Sequence, residues 1–232
     1  AQIPNNGFET WEVYEDNLGG CTPPYNTYQK PDMWNGALPK SCQTHSYSIQ
    51  KNNESYPAGT GQFSLKIQPD IANGVRGVAI SNDGSDSMIN WIPQPAFEIK
   101  QRPTTLNLYY KYLPHGGDTM IDQVYFYKKG VVIGNSIYGT TDTVEQWKAL
   151  EIPMTYKTSD IPDSATIFFV TGAYVQHSES ILYIDNVSFD GFVTSIKEVN
   201  TQNIAFNLFP NPSSGELNIS ITNKYDDNLI LN

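Results

Sequence analysis

Aromatic side chains with polar neighbours are the residues of this sequence best suited to do chemistry. Tryptophans lie in proline-flanked segments, and tyrosines share the polar faces of strand-like segments with a lysine. The residues are Trp34, Trp91, Tyr109, Lys111, Tyr125 and Tyr127. Flat aromatic faces beside hydrogen-bonding groups can bind sugar rings, so these residues predict a carbohydrate-binding surface. Packing of the same rings in the protein core is the alternative.

Catalytic chemistry has less support in the sequence. The histidines stand apart from one another, and no serine lies in a Gly-x-Ser-x-Gly elbow. Glu98, Asp122 and Glu151 are the carboxylates that could act as a glycoside hydrolase pair, although each also fits a solvated strand position. We therefore expect no catalytic residue, and we keep a glycan-active hydrolase as the alternative.

Charge and composition narrow the class of partner. The chain has 232 residues and a formal net charge of −10, with its lysines and arginines scattered, so nucleic acid and anionic membrane surfaces are poor partners. No run approaches the roughly 18 apolar residues that a membrane helix requires. Aromatic residues make up 12%, which fits a sheet protein and does not fit a disordered chain.

Strand patterns dominate residues 1–192. "TTLNLYYKYL" (104–113) alternates apolar and polar residues, and residues 122–139 predict a hairpin that turns at Lys129–Gly130. No window has the apolar spacing of a helix over ten or more residues. The sequence therefore predicts an all-β fold, a β-sandwich or jelly roll.

The sequence pattern changes after residue 192. Residues 193–205 read as a polar linker, and residues 206–232 read as a short strand, a tight turn, a second strand and the beginning of a third. Two strands and the beginning of a third cannot close a sandwich by themselves. We therefore expect the natural protein to continue past Asn232.

The cysteines and the first residue suggest an oxidising compartment. Cys21 and Cys42 flank a segment rich in proline and glycine, where a disulfide would contribute about 3 kcal/mol. Free thiols remain the alternative. The sequence begins with Ala, and we expect this to be a mature chain from which a secretory signal peptide has been removed; a cloning choice is the alternative.

The segment "NLFPNPSSGELNISI" resembles the start of the C-terminal sorting domain of type IX secretion cargo in Gram-negative bacteria. The resemblance covers residues 206–232 and rests on the "FPNP" turn, Phe209 to Pro212, with Gly215. It implies an incomplete sorting domain that the type IX machinery reads, and hence a protein that is secreted or displayed on the cell surface.

The main domain resembles jelly-roll carbohydrate-binding modules with galactose-binding-domain topology. The matching segments are "NNGFETW", "PDMWNG", "GQFSLKI", "EQWKALEI" and "LYIDNVSF". The opening is also similar to the carbohydrate-metabolism domain proposed for surface proteins of gut bacteria. The resemblance implies that Glu9 and Asp185 bind a structural calcium ion. It also implies that Trp34 and Trp147, with Trp11, pack in the core.

These observations together predict a secreted carbohydrate-binding module without catalytic activity. Two alternatives come from other classes of protein. One is the hydrolase described above, and the other is an adhesion or scaffold module that recognises protein through a large exposed apolar patch.

Overall fold

The computed structural model describes most of the chain. The described residues are 3–15, 27–37, 47–70, 75–81, 88–89, 92–172, 179–192, 205–209 and 218–222. The chain divides into two compact units, Ala1–Val193 and Thr194–Asn232. Trp91, Cys21 and Cys42 lie outside the described residues, so the predicted disulfide stays a prediction.

The described residues form strands and turns. In chain order the strands are β1 (Trp11–Glu15), β2 (Thr27–Pro31), β3 (Trp34–Gly36), β4 (Ile49–Asn52), β5 (Ser64–Ile67), β6 (Gly77–Ser81), β7 (Met88–Ile89), β8 (Ile92–Pro93), β9 (Phe97–Glu98), β10 (Thr105–Leu113), β11 (Met120–Lys128), β12 (Val131–Thr140), β13 (Val144–Pro153), β14 (Thr155–Tyr156), β15 (Ser164–Thr171), β16 (Ile181–Asp190), β17 (Ala205–Phe209) and β18 (Asn218–Thr222). Within these ranges no helix has the length and apolar character needed to span a bilayer.

Two large antiparallel sheets form the body of the first unit. The front sheet has five strands in the order β13-β10-β16-β5-β4. The back sheet has seven strands, in the order β14-β12-β11-β15-β6-β3 with β9 paired to β15. Strands β1 and β2 form a separate two-stranded pair, as do β7 and β8.

A single hydrophobic core fills the space between the front and back sheets. Leu108 of the front sheet and Phe126 and Phe169 of the back sheet belong to the same buried cluster. The ring of Phe126 also lies 5.4 Å from that of Phe189, which joins β11 to β16 across the interior. The prediction of an all-β jelly-roll β-sandwich is confirmed.

Strand β10 shows why the sequence pattern sets the two faces of the front sheet. Its burial alternates strictly, with Leu106, Leu108, Tyr110 and Tyr112 buried and the residues between them partly exposed. Side chains of successive strand residues point to opposite faces, so Asn107, Tyr109 and Lys111 lie on the outer face. This is the alternation that the sequence predicted.

The β11–β12 hairpin also forms as predicted. Its turn residues, Lys129 and Gly130, have φ angles of 51° and 76°. Positive φ at both central residues is typical of the type I′ turn, whose twist matches that of the flanking strands. In the second unit, β17 pairs with β18 in antiparallel register from Ala205↔Thr222 to Phe209↔Asn218.

Candidate functional site

The outer face of the front sheet carries a cluster of aromatic and charged side chains. Tyr109 and Lys111 come from β10, Trp147 from β13 and Tyr183 from β16. Lys111 lies opposite Tyr183 in the ladder, and the rings of Trp147 and Tyr183 are 6.5 Å apart in an edge-on arrangement. All of these residues are partly exposed. Neighbouring strands therefore supply one continuous surface.

The β4–β5 loop, residues 53–63, adds two further side chains to this surface. The ring of Tyr56 lies 4.8 Å from that of Tyr109 and 5.9 Å from that of Trp147. Glu54 reaches the same place through its carboxylate. We call the set Glu54, Tyr56, Tyr109, Lys111, Trp147 and Tyr183 the front-face cluster.

Glu54 joins a cation to an indole at the centre of the front-face cluster. Lys111 Nζ donates to Glu54 Oε2 at 2.6 Å, and Trp147 Nε1 donates to Glu54 Oε1 at 2.6 Å. The Lys111 bond is the largest effect lowering the pKa of Glu54 below its ordinary value, and the Trp147 bond acts in the same direction. Glu54 is therefore ionised near neutral pH and holds both donors.

Lys111 is also held by aromatic faces. Its Nζ lies 4.8 Å from the ring centroid of Trp147 and 4.8 Å from that of Tyr183, within the range of cation–π attraction. Its side chain is only 15% exposed, whereas that of Glu54 is 50% exposed. The cation is thus fixed below the surface while the carboxylate can still bond to a ligand.

A cavity of about 280 Å³ opens beside the front-face cluster. Its lining residues are Asn107, Leu108, Tyr109, Ala149, Leu150, Glu151, Asn186 and Ser188. This volume is just below the range of about 300–1,000 Å³ that small-molecule sites usually have. Tyr109 belongs to both the cavity and the cluster, so the two are contiguous.

The structure brings together Tyr109 and Lys111 among the residues that the sequence predicted for ligand binding. Trp34 and Tyr127 are corrections, because they are 0% and 1% exposed and cannot present a ring to a ligand. Trp34 packs between Phe8 and Phe169, with ring centroids 5.2 and 5.5 Å away.

Tyr125 lies elsewhere on the molecule. It belongs to β11 of the back sheet, where its ring contacts Phe168 and its hydroxyl accepts a hydrogen bond from Gln123. The outer faces of the two sheets point away from each other, so Tyr125 and Tyr109 cannot contact one ligand. Trp91 lies outside the described residues.

The sequence alone did not predict site roles for Glu54, Tyr56, Trp147 and Tyr183. Trp147 was assigned to the core by family resemblance, yet it is partly exposed on the outer face. Its position on β13, close to that of Lys111 on β10, follows only from strand order and register. Glu54 and Tyr56 lie in a loop without periodicity, and the one available signal was an aromatic residue followed by proline.

Glu9 and Asp185, the carboxylates predicted to bind calcium, lie close together. A Cβ on Gly7 would be 3.9 Å from Glu9 Cγ and 4.0 Å from Asp185 Oδ1. Burial raises the pKa of Asp185 to about 6; hydrogen bonds from the backbone N–H groups of Tyr56 and Asn186 lower it, and the charge of Glu9 raises it further. A cation beside both would relieve this repulsion.

The oxygen atoms of these two carboxylates are only partly free to bind a metal ion, because backbone N–H groups already donate to them. Glu9 accepts bonds of 3.0 Å from the backbone N–H groups of Gln62 and Phe63. An ionised carboxylate has about four acceptor sites, so each group keeps some capacity for a metal. No group of three or more His, Cys, Asp or Glu placed to hold a metal occurs among the described residues. The two carboxylates therefore fit calcium only with further oxygens from backbone carbonyls or water.

The carboxylates proposed for hydrolysis do not converge. Glu98 is exposed on β9, where Lys100 contacts it at 3.2 Å. Asp122 is 0% exposed in the interior, and Glu151 lies on the outer face of the front sheet. These three residues occupy three separate regions, so no two of them flank one cleft.

This chain is similar to known proteins in its three-dimensional structure and not in its sequence. The sequence matches no protein-family profile. No curated protein is similar to it in sequence. Among solved structures, a candidate glycoside hydrolase from Bacteroides thetaiotaomicron is similar with a TM-score of 0.53 and 14% identity, over 84% of this chain and 72% of that chain.

Two further structures are similar to this chain. One is a candidate glycoside hydrolase from Bacteroides vulgatus, with a TM-score of 0.50 and 13% identity over 79% of this chain and 96% of that chain. The other is a module in complex with β-1,4-galactotriose, with a TM-score of 0.38 and 11% identity over 82% of this chain and 97% of that chain. At 14% and 13% identity, the likeness to the two Bacteroides structures shows the fold alone.

Proposed function

We propose that this chain is a carbohydrate-binding module that holds a glycan on the outer face of the front sheet without cleaving it. The observation that carries the proposal is the front-face cluster. It combines partly exposed rings of Tyr56, Tyr109 and Trp147 with the fixed pair of Glu54 and Lys111. Aromatic faces beside charged hydrogen-bonding groups suit the two sides of a sugar ring.

The dimensions of the face favour an oligosaccharide. From Lys111 to Asn107 the outer face of β10 extends about 13 Å, at about 3.3 Å per residue. The rings would pack against the C–H face of the sugar, and the Glu54 carboxylate would accept its hydroxyl protons. The cavity at Asn107 and Glu151 would accept the next sugar unit. Exposed carboxylates at both ends favour a neutral glycan over an acidic one.

A glycan array tests this proposal with matched tyrosine variants. Tyr109→Ala and Trp147→Ala should lose most of the wild-type signal on neutral oligosaccharides, since each removes a ring from the face. Tyr125→Ala removes a partly exposed tyrosine from the back sheet and should leave the signal unchanged. Equal losses for Tyr109→Ala and Tyr125→Ala, or no binding by the wild type, would contradict the proposal.

Product analysis separates binding from hydrolysis. Incubation of the wild-type protein with every oligosaccharide that binds on the array should release no new reducing ends. Release of reducing ends that Glu151→Gln abolishes, with glycan binding retained, would instead establish the hydrolase alternative.

We also propose that calcium binds between Glu9 and Asp185, with backbone or water oxygens completing its coordination. The proximity of the two carboxylates supports this proposal. The ion would neutralise their repulsion and would not take part in ligand chemistry. Calcium chloride added to chelator-treated protein should raise the melting temperature, and Asp185→Asn should abolish the rise; a calcium concentration 100 times the Kd stabilises by about 2.7 kcal/mol. An unchanged melting temperature would contradict a calcium site.

We propose type IX export on the strength of the "FPNP" segment. Residues 194–232 form a separate compact unit in which β17 ends at Phe209, the first residue of that segment, and pairs with β18. In a bacterium with type IX secretion, replacing Phe209 to Pro212 with alanines in the natural protein should retain it in the periplasm. Unchanged appearance at the surface or in the medium would exclude this route.

A further inference from the structure

The β4–β5 loop is held by carboxylates from two distant parts of the chain. Asp185 Oδ2, on β16, accepts a bond of 2.6 Å from the Tyr56 N–H. Glu9, before β1, accepts bonds of 3.0 Å from the N–H groups of Gln62 and Phe63. The anchors thus lie near the two ends of the loop, and both act on its backbone.

The loop is also bonded internally, which ties residues near its two ends to each other. Ser55 Oγ donates to the Gly61 carbonyl at 2.8 Å, and the Thr60 N–H donates to the Pro57 carbonyl at 3.1 Å. Gly61 packs directly on the Glu9 carboxylate, where a Cβ would lie 2.6 Å from Glu9 Cδ. A glycine is therefore required for Glu9 to approach the loop this closely.

The same loop carries Glu54 and Tyr56 into the front-face cluster. Tyr56 illustrates the connection directly, because its N–H is bonded to Asp185 while its ring packs on Tyr109 and Trp147. A displacement of the loop backbone would therefore move the ring and the Glu54 carboxylate away from Lys111 and Trp147.

We propose that Glu9 and Asp185 are positioning residues for the glycan site, which hold the β4–β5 loop so that Glu54 and Tyr56 complete the binding face. This inference rests on the function proposed above. Carboxylates suit the task because they have only acceptors to offer to several N–H groups, whereas an amide would turn an NH₂ group toward one of them. Binding benefits because a preformed face loses less entropy when a ligand binds.

The Trp147 indole provides a test that needs no glycan. Its Nε1–H bond to Glu54 gives the indole resonance in a ¹⁵N correlation spectrum a shift that depends on the loop position, and Trp147→Phe assigns this peak. In Glu9→Ala and Asp185→Ala, measured with chelator present, this resonance should move or broaden. The amide resonances of β11 and β12 in the back sheet should stay in place.

Array binding of neutral oligosaccharides is measured on the same variants. We expect both alanine variants to lose about fivefold or more of the binding signal, a loss of preorganisation. Glu98→Ala removes an exposed carboxylate paired with Lys100 and should change neither the resonance nor the binding. If Glu9→Ala does not fold, Gly61→Ala displaces the same carboxylate through the added Cβ.

The outcomes separate this inference from the proposed function. An unmoved Trp147 resonance in both variants overturns the positioning role, whatever glycans bind. A moved resonance with unchanged glycan binding also overturns it, because the loop would then not belong to the site. Absence of any wild-type glycan binding rejects the proposed function, whereas the resonance still decides whether the carboxylates hold the loop.

Discussion

The indole nitrogen of Trp147 donates a hydrogen bond of 2.6 Å to Glu54 Oε1, across 93 residues of sequence. The other oxygen of the same carboxylate accepts a bond from Lys111, whose Nζ lies 4.8 Å from the Trp147 ring centroid. Side chains from β10, the β4–β5 loop and β13 therefore each contact the other two. These contacts fix the relative positions of the Glu54, Lys111 and Trp147 side chains.

Glu54→Gln should weaken glycan binding several-fold while changing stability little. Glutamine has a single acceptor oxygen, so either Lys111 or Trp147 loses its partner. Because Glu54 is half exposed, the loss in the free energy of unfolding should be about 1 kcal/mol or less. Titration calorimetry with array-selected oligosaccharides and urea unfolding measure the two effects.

Glu145→Gln is the matched control for that substitution. Glu145 is an exposed carboxylate two residues before Trp147 on the same strand, so the variant changes the net charge equally. If both variants weaken binding alike, the effect comes from net charge and the Glu54 arrangement is irrelevant.

The faces of single strands could be predicted from sequence because alternation is a local property. Residues 104–113 placed Tyr109 and Lys111 outward, and β10 has that pattern. The alternation failed at Tyr127, since Phe126 and Tyr127 are both buried where the register of β11 and β12 shifts. A β-bulge of this kind depends on the partner strand, which a single segment does not reveal.

The rest of the site depends on contacts between segments far apart in sequence. Glu54 and Tyr56 reach the face because Glu9 and Asp185 hold their loop, and those bonds span 53 and 129 residues. Neither strand periodicity nor turn chemistry encodes such a bond. The sequence identified Glu9 and Asp185 only through family resemblance, and for calcium binding.

Trp34 and Trp147 should respond oppositely to replacement by leucine. Trp34 is fully buried and donates to the Pro4 carbonyl at 3.1 Å, so Trp34→Leu should cost roughly 2–4 kcal/mol of unfolding free energy. Below its melting temperature that variant should still bind glycan. Trp147→Leu should lose binding at a cost of roughly 1 kcal/mol, since the residue is partly exposed. Urea unfolding and the glycan array measure both, and retained binding by Trp147→Leu would remove this residue from the site.

Gly134 is required at the edge of the back sheet by the ring of Tyr156. A Cβ at Gly134 would lie 2.6 Å from Tyr156 Cδ1 and 2.9 Å from the Thr155 carbonyl oxygen. The ring cannot retreat easily, because it stacks on Phe126 at 5.1 Å. Gly134→Ala should therefore destabilise the protein by about 1–3 kcal/mol.

Gly139→Ala is the control for this overpacking. Gly139 lies on the same strand, and the nearest atom to its Cβ position is 3.3 Å away. Chemical unfolding should show a much smaller loss than for Gly134→Ala. Equal losses would show that the strand, and not the Tyr156 ring, sets the cost.

Asp122 is a carboxyl group in the interior without a hydrogen-bond partner among the described residues. Both oxygens are buried, and burial raises the pKa of Asp122 to about 8 from an ordinary value of 3.8. The neighbouring phenol of Tyr110 stays neutral at the pH values where Asp122 titrates, since burial raises the pKa of Tyr110 above its ordinary value of 10.0. Asp122 therefore holds its proton in the folded protein at pH values where the unfolded chain has released it.

Asp122→Asn should stabilise the protein at neutral pH by about 1 kcal/mol or more, each pKa unit being worth about 1.4 kcal/mol. Between pH 3.8 and about 8 the folded state binds more protons than the unfolded state, so the contribution of Asp122 to stability falls as the pH rises. Asparagine does not titrate, so the stability of the Asp122→Asn variant does not decrease with pH for this reason. Urea unfolding of both proteins from pH 4 to pH 8 should show similar stability at pH 4 and a gap that widens toward pH 8. A constant gap would mean that Asp122 ionises normally in the folded protein.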